Sequence, residues 1–375
     1  MSNSLNSLGL MSGTSGDGVD ASVINSNGKD YYKVLVNQYF KYTDEISENI
    51  HKLKSNINKI EDLKTFINEI HDLERKITLF HSNVVANCDK NYDFEIDLVG
   101  FHGQTILHSP KNKFTNQLGD GKLLSQLSKK KVIYNFRNND LAQGGEGAPL
   151  SPIFHQMMVK EKKIDLPVCI LNIGGISNLT LIKDLNEDSL ISRDIGPGNC
   201  LIDEWIRRNR KGNFDKNGEL ASSGKTDKLI LNQAIDDFEN ISTKNINSFD
   251  VNDFEINFLR GLDLEDGAST ITDFTSIIIA SNLSNVILKS NQKISNVILC
   301  GGGRKNKTLI ERIKKYTDNS IKFVSSEEYG VDGDFVESQA FGYIAIRSFL
   351  KLPISFPKTT GCKLPTTGGV YVKNF

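Results

Sequence analysis

The stretch Leu8–Ile24, LGLMSGTSGDGVDASVI, decides the fold. Two apolar runs, Leu8–Met11 and Ala21–Ile24, flank a tip of glycines, hydroxyls and aspartates. Apolar runs bounded by glycine clusters read as strands, and two such runs around one glycine tip read as a β-hairpin. The tip residues Ser12, Gly13, Thr14, Ser15, Gly16, Asp17, Gly18 and Asp20 supply N–H donors, hydroxyls and little side-chain bulk, as a phosphate clamp needs. Asp17 and Asp20 are candidates to hold Mg²⁺, directly or through water. No G-x-x-x-x-G-K-[ST] is present, so this is not a Walker loop; the plain alternative is a decorated turn.

A second hairpin of the same plan lies at Val168–Ile182, VCILNIGGISNLTLI, with Gly174, Gly175, Ser177 and Asn178 at its tip. Each hairpin heads a similar series. After the first come a strand at Tyr31–Tyr42, helices at Asp44–Lys54 and Ile60–Val84, a strand at Ile96–Phe101, a helix at Lys122–Ser128 and a strand at Val132–Phe136. After the second come a strand at Leu190–Ile195, a helix at Cys200–Arg208, a polar irregular region over Asn209–Gly261 and a helix at Thr270–Leu288. A strand at Asn296–Cys300, a helix at Asn306–Tyr316, a strand at Ile321–Val324 and a helix at Asp334–Leu350 complete it. Each half thus reads βββαβαβ. The expected fold is α/β, a duplicated ribonuclease H-like domain. Two such lobes facing a cleft resemble the actin, sugar kinase and Hsp70 superfamily, in which ATP lies between the hairpins. The lobes are placed at 1–137 with 351–375, and at 138–350.

A third glycine site, Gly301-Gly302-Gly303, ends a strand before a helix and suits the approach of an adenosine ribose or phosphate. Any one of these glycine sites is compatible with a simple turn. Three at equivalent places in two similar halves are harder to explain by packing alone.

Between the halves runs Asn138–Pro152, NNDLAQGGEGAPLSP. Asp140 precedes Gly144, Gly145 and Gly147, and a helical pattern follows Pro149 through Leu150, Ile153, Phe154, Met157 and Met158. A carboxylate upstream of a glycine nest and a helix start is a place where anion chemistry is at home; the bland reading is an inter-domain turn with a solvated aspartate. His102, Gln104 and Thr105 sit at the end of a strand, in GFHGQT. Asp194 lies in DIGPGN at a strand–helix junction, facing phosphate, metal or substrate. Glu327 and Glu328, before the last helix, are candidates to bind a polyol. His71 and His81 flank the apolar stripe Ile60–Val84 and read as surface residues; the stripe itself reads as core or as a dimer seam.

Among 375 residues the formal net charge is −1, which favours neither nucleic acid nor an anionic membrane as a partner. Five scattered cysteines without C-x-x-C spacing argue against zinc and for reduced thiols in a cytoplasmic protein. Cys169 and Cys300, within strands, read as small core residues. The N-terminus has no signal-peptide pattern, and no apolar run long enough to span a bilayer is expected, the longest being broken by Ser281, Asn282, Ser284 and Asn285.

GLMSGTSGDGVD, GFHGQTILHSP, FRNNDLAQGGEGAPLSP, LNIGGISNLT, DIGPGN and EEYGVDGDFVESQAF together resemble, in order, the motif set of the anhydro-N-acetylmuramic acid kinases. The resemblance implies ATP and Mg²⁺ as cofactors and a 1,6-anhydro amino sugar as substrate. That sugar has no free 6-hydroxyl, so water must open the bridge before or as O6 attacks the γ-phosphorus. Asp140, at the position of the family motif, becomes the expected base. Two departures are visible. Glu146 replaces the family's glutamine; a carboxylate about 4 Å from a phosphate charge costs about 4 kcal/mol at an effective dielectric of about 20, so it is expected to face away from the γ-phosphate or toward the metal. Gly16 replaces a hydrophobic residue and is expected to loosen the hairpin tip. Alternatives are a conventional hexosamine or carboxylate kinase on the same fold, and an ATP-driven binding protein that makes no sugar product.

Overall fold

The computed structural model describes residues 4–242, 249, 251 and 254–375. In chain order it places β1 (Leu5–Ser12), β2 (Gly18–Ser26), β3 (Tyr32–Lys41), α1 (Asp44–Asn56), α2 (Asp62–Thr65), α3 (Ile67–Asn91), β4 (Leu98–Ser109) and β5 (Phe114–Leu118). Then come α4 (Gly121–Ser128), β6 (Lys131–Tyr134), α5 (Asn138–Ala142), α6 (Pro152–Glu161), β7 (Val168–Ile173), β8 (Ile176–Ile182) and β9 (Ile191–Pro197). The chain continues with α7 (Cys200–Arg208), α8 (Glu219–Ser223), α9 (Lys228–Ser242), α10 (Leu264–Ser290), β10 (Asn296–Cys300), α11 (Lys307–Tyr316) and β11 (Lys322–Ser325). It finishes with α12 (Val336–Phe349), α13 (Pro357–Thr360) and β12 (Val370–Val372).

The duplication is explicit in the strand order. One sheet runs β12-β6-β4-β1-β2-β3, with β5 paired to β4; the other runs β11-β10-β7-β8-β9. In each, the first strand pairs antiparallel with its hairpin partner and parallel with the strand that follows the first helical crossover. The next strand again joins in parallel. This is the ribonuclease H-like order, present twice.

The chain divides into unit 1 (Met1–Asp165, Leu185–Ile191, Asp334–Phe375) and unit 2 (Leu166–Asp184, Ser192–Gly333). The boundaries expected from sequence differ: 138–165 and 334–350 fold with unit 1. The cause for α12 is glycine contact. A Cβ on Gly9 of β1 would lie 1.9 Å from the Ser338 carbonyl oxygen, and one on Gly100 of β4 would lie 2.4 Å from that of Phe341. Only bare backbone at both strands lets α12 lie this close to the sheet.

Several other expectations change. The stripe starting at Ile60 is broken at Phe66, which leaves helical geometry between α2 and α3. Ile70, Leu73, Ile77, Val84 and Val85 of α3 pack into the core cluster of unit 1, so this part of the stripe is core. His81 is fully buried rather than on the surface. β4 continues through His102–Thr105 instead of ending there, because β5 returns along it. The tail supplies α13 and adds β12 to the edge of β6.

In unit 2, α10 is long and apolar enough, by length and composition, to cross a membrane, contrary to expectation. Its Thr, Ser and Gly residues are mild on a hydropathy scale. Here it is a core helix, and its buried Asp273 accepts from the Thr226 hydroxyl at 2.5 Å and the Tyr316 phenol at 3.0 Å. The region Asn209–Gly261 contains α8 and α9; its residues 243–248, 250 and 252–253 lie outside those described. All five cysteines are buried and none is in a disulfide; Cys169 and Cys300 are core residues, as read from the sequence.

Candidate active site

In unit 1 the tip Gly13–Asp17 is tied down from behind. Gly16 N donates to Gly13 O at 3.2 Å and Tyr42 N to Asp17 O at 2.9 Å. The Lys54 ammonium reaches Thr14 O at 2.8 Å, and the Gln104 amide reaches Gly13 O at 3.0 Å. Loop carbonyls held this way are kept from facing an anion, which they would repel. Gly16 does not loosen the tip. It holds φ of +64°, and a Cβ there would lie 2.8 Å from Ile50 Cγ2, so the glycine lets the tip seat on α1. Beneath it, buried Ser12 pairs with the Tyr42 hydroxyl at 2.7 Å and lies 3.4 Å from His81 Nε2. His81 Nδ1 donates to Ile77 O, and burial lowers the imidazole pKa to about 4, so the ring is neutral.

Asp17 and Asp20 stand on one side of the hairpin. Ser15 donates to Asp17 at 2.6 Å, and Asp20 is in register with Tyr39 of β3. Burial, then the charges of Asp17 and Asp20, push the Tyr39 phenol up. Two carboxylates sharing one locality fit Mg²⁺, which takes one or two protein oxygens and fills its sphere with water and phosphate. Among the described residues no group of three or more His, Cys, Asp and Glu forms a full protein cage.

Asp140 lies in α5, 1% exposed. Its Oδ1 accepts from the hydroxyls of Ser355 at 2.5 Å and Thr360 at 2.6 Å; its Oδ2 accepts from Gly147 N at 2.7 Å. A carboxylate offers about four acceptor positions, so Oδ1 is full and Oδ2 keeps one. The turn around it requires glycine: a Cβ on Gly145 would lie 2.1 Å from Oδ2. Lys113 clasps the carbonyls of Gly144 and Gly145 at 2.8 and 2.9 Å. Glu146 is half-buried, and its N–H donates to Thr360 O.

The strand β4 links these two places. Beside Gln104, which holds Gly13, stands buried His102. Its Nδ1 donates to Gly103 O at 2.8 Å, so its Nε2 is the acceptor for Arg137, at 3.2 Å from Nε and 2.9 Å from a terminal nitrogen. Burial first, and then the Arg137 charge, hold the imidazole pKa well below its ordinary value. Both ring nitrogens of His102 are engaged, and the other arm of Arg137 reaches Gly147 O at 2.8 Å. Gln104 Oε1 is buried and makes no hydrogen bond among the described residues, whereas Thr105 accepts from Gln117.

In unit 2 the glycine sites converge. The tip Gly174–Gly175 has its carbonyls taken by backbone donors: Asn199 N to Gly174 O at 2.8 Å, Gly198 N to Gly175 O at 2.9 Å and Cys200 N to Gly175 O at 3.2 Å. A Cβ on Gly198 would lie 2.3 Å from Gly174 O. Gly301, at φ of +78°, sits against the Asn172 side chain and the Ile173 carbonyl; Gly303 sits against Ile173 and Asn199. Gly302 has open space where a Cβ would be. Ser177 donates to Pro197 O at 3.2 Å, and Asn178 Oδ1 is buried without a hydrogen bond among the described residues.

The acidic candidates of unit 2 are structurally engaged. Asp194 accepts from Phe249 N at 2.8 Å. Glu327 pairs with Arg304 and Ser325, and Arg304 in turn donates to Gly301 O at 2.9 Å. Burial raises the Glu327 carboxyl, but those hydrogen bonds outweigh it and bring its pKa down to about 2. Glu327 therefore braces the Gly301 turn, and a polyol would have to compete with Arg304 for it. Glu328 is exposed beside it. Sequence reasoning missed Arg137, Lys54, Lys113, Tyr42, Arg304, Ser355 and Thr360. Arg137 directly precedes the Asn138–Pro152 stretch and could have been read with it; the others carry no local signal.

The family model for anhydro-N-acetylmuramic acid kinase matches residues 6–373. The chain belongs to that family. It is 51% identical over 369 residues to the anhydro-N-acetylmuramic acid kinase of Pelagibacter ubique (strain HTCC1062), covering 98% of each chain. It is 34% identical to the one from Brucella canis (strain ATCC 23365 / NCTC 10854 / RM-666), with the same coverage. Among solved structures, component A of the Acidaminococcus fermentans (R)-2-hydroxyglutaryl-CoA dehydratase shares 10% identity at a TM-score of 0.43, over 92% of this chain and 98% of that one. That likeness is too slight to bear on the site. The protein is thus a kinase of cell-wall amino-sugar recycling that uses ATP, and the ATP-driven binding protein and the conventional hexosamine kinase fall away as readings.

Proposed function

We propose that Asp140 is the general base of a reaction that opens 1,6-anhydro-N-acetylmuramic acid and phosphorylates it at O6. The observation that carries this is the Asp140 carboxylate, buried, filled at Oδ1 and left with one acceptor position at Oδ2. Oδ2 takes a proton from water as the water oxygen bonds to the anomeric carbon. The C1–O6 bond breaks, and the electron pair stays on O6. O6 then attacks the γ-phosphorus, the bond to the β-phosphate bridging oxygen breaks, and ADP leaves. The proton on Asp140 returns to solvent.

The hairpins Ser12–Asp20 and Gly174–Asn178 bind phosphate in this reading, and Gly301–Gly303 admits the adenosine. Asp17 and Asp20 would hold Mg²⁺, which would supply charge neutralisation at the phosphates. Arg137, oriented by neutral His102, is a fixed cation for the substrate side, and Gln104 Oε1 is an acceptor for a hydroxyl. Buried thiols throughout suit the reducing cytoplasm.

Asp140→Asn is expected to lower kcat by roughly 10²–10⁴-fold, measured by ADP release with the anhydro sugar. In H₂¹⁸O the wild-type product should carry label at the anomeric hydroxyl. Near-wild-type turnover of Asp140→Asn, or unlabelled fresh product, refutes the proposal.

A further inference from the structure

Two donors to Asp140 come from far along the chain. Ser355 and Thr360 are separated from it by 215 and 220 residues, and both hydroxyls converge on the same oxygen. Both are buried, at 1% and 0% exposure. The segment that carries them is locked to the Asp140 loop by three further bonds. Glu146 N donates to Thr360 O at 2.8 Å, Lys363 N to Gln143 O at 3.2 Å and Asn139 Nδ2 to Thr367 O at 2.6 Å. Within the segment's own turn the Thr359 hydroxyl accepts from Phe356 N at 3.0 Å. β12 then pins the segment to the sheet edge.

A base whose two oxygens were equally free would present several lone pairs in several directions, and water could approach along any of them. Here Oδ1 is saturated by the two hydroxyls, and Gly147 N occupies one position on Oδ2. One direction remains. We infer that Ser355 and Thr360 are positioning residues: by filling Oδ1 they aim Oδ2 of Asp140 at the water that opens the sugar. The inference rests on Asp140 being the base. The charged and titratable groups around this loop are Lys113, Arg137, Glu146 and Lys363, the Cys362 thiol 4.0 Å from the Ser355 hydroxyl, and neutral His108 against Gly147. The donors to the carboxylate are the two hydroxyls and one amide, and these set its direction.

The test is steady-state kinetics with ATP and the anhydro sugar on Thr360→Val, Thr360→Ser and Ser355→Ala, each checked for its thermal midpoint. Valine keeps the shape of threonine and loses the donor; serine keeps the donor. Thr360→Val is expected to lower kcat about tenfold with the KM for ATP unchanged, Ser355→Ala to do the same, and Thr360→Ser to stay within about twofold of wild type. In an Asp140→Asn background, Thr360→Val should cost nothing more, because a residue that acts through Asp140 has nothing left to act on. A purely structural role predicts the same proportional loss in both backgrounds, and that result overturns the inference. So does a Thr360→Val enzyme with the turnover of Thr360→Ser, which decides the matter if Asp140→Asn activity is below detection. A fully active Asp140→Asn enzyme instead removes the base assignment on which this rests, so the two failures are told apart.

Discussion

The two hairpins that head the sheets are the same element used differently. In unit 1 the tip runs from Gly13 to Asp17 and carries acids, and its carbonyls are held partly by side chains, Lys54 and Gln104. In unit 2 the tip is Gly174–Gly175 and its carbonyls are held by the backbone N–H groups of Gly198–Cys200. Both solutions tie up the carbonyl oxygens of the tip. The first has room for carboxylates. The second brings backbone so close to backbone that side chains are excluded. One duplicated scaffold thus separates charge management from steric fit, and each half should fail in its own way.

The largest failure is expected at the steric end. Gly301→Ala places a methyl group 2.5 Å from Asn172 Oδ1 and 2.6 Å from Ile173 O at φ of +78°. The backbone strain alone is roughly 1–3 kcal/mol. Displacement of the turn should lower kcat/KM for ATP about 100-fold; a value within threefold of wild type would break the contrast. Next comes the charge end. Asp17→Asn should raise the magnesium concentration for half-maximal rate about tenfold while leaving fold stability unchanged, and an unaltered magnesium titration would move the metal elsewhere.

A third test separates the units themselves. All six histidines lie within 1–165, in unit 1. Burial brings the pKa of His81 down to about 4 and those of His108 and His155 to about 3, and His102 lies well below its ordinary value. Unfolded histidines take protons below about pH 6.5, before these folded ones do. Their contribution to stability is therefore present above about pH 6.5 and is lost as pH falls from there toward 3–4. Amide protection factors in unit 1 should fall on acidification before the emission of Trp205, the one tryptophan and a buried residue of unit 2, changes. Simultaneous change would show that the histidines do not govern. The smallest effect is expected from Gly302→Ala, whose methyl group meets nothing within 4 Å; ATP kinetics should stay within about twofold of wild type.

Both hairpins, the crossover helices and the strand order were legible because apolar runs and glycine clusters are local signals. The glycine sites of unit 2 were readable for the same reason. What could not be read depends on partners far away. His81 sits on a helix where neighbouring apolar residues do not reveal which face is covered, and partners across the core such as Ser12, Tyr42 and Phe101 account for its burial. His102 looks like a free hydrogen-bonding group until Arg137 is seen against it. Gly9 and Gly100 gave no hint that a helix more than two hundred residues later would press on them and so redraw the boundary of the units. Ser355 and Thr360 are ordinary hydroxyl residues in a proline-containing stretch; nothing nearby marks them out.

Their separation from Asp140 has a consequence for synthesis. A ribosome delivers the aspartate long before it delivers the hydroxyls. A nascent chain can already have formed its first hairpin, yet its carboxylate still lacks the partners that orient it. Hydrolytic competence would then arrive last, only when the finished polypeptide closes on its own beginning, and a truncated product would be more inert than wasteful.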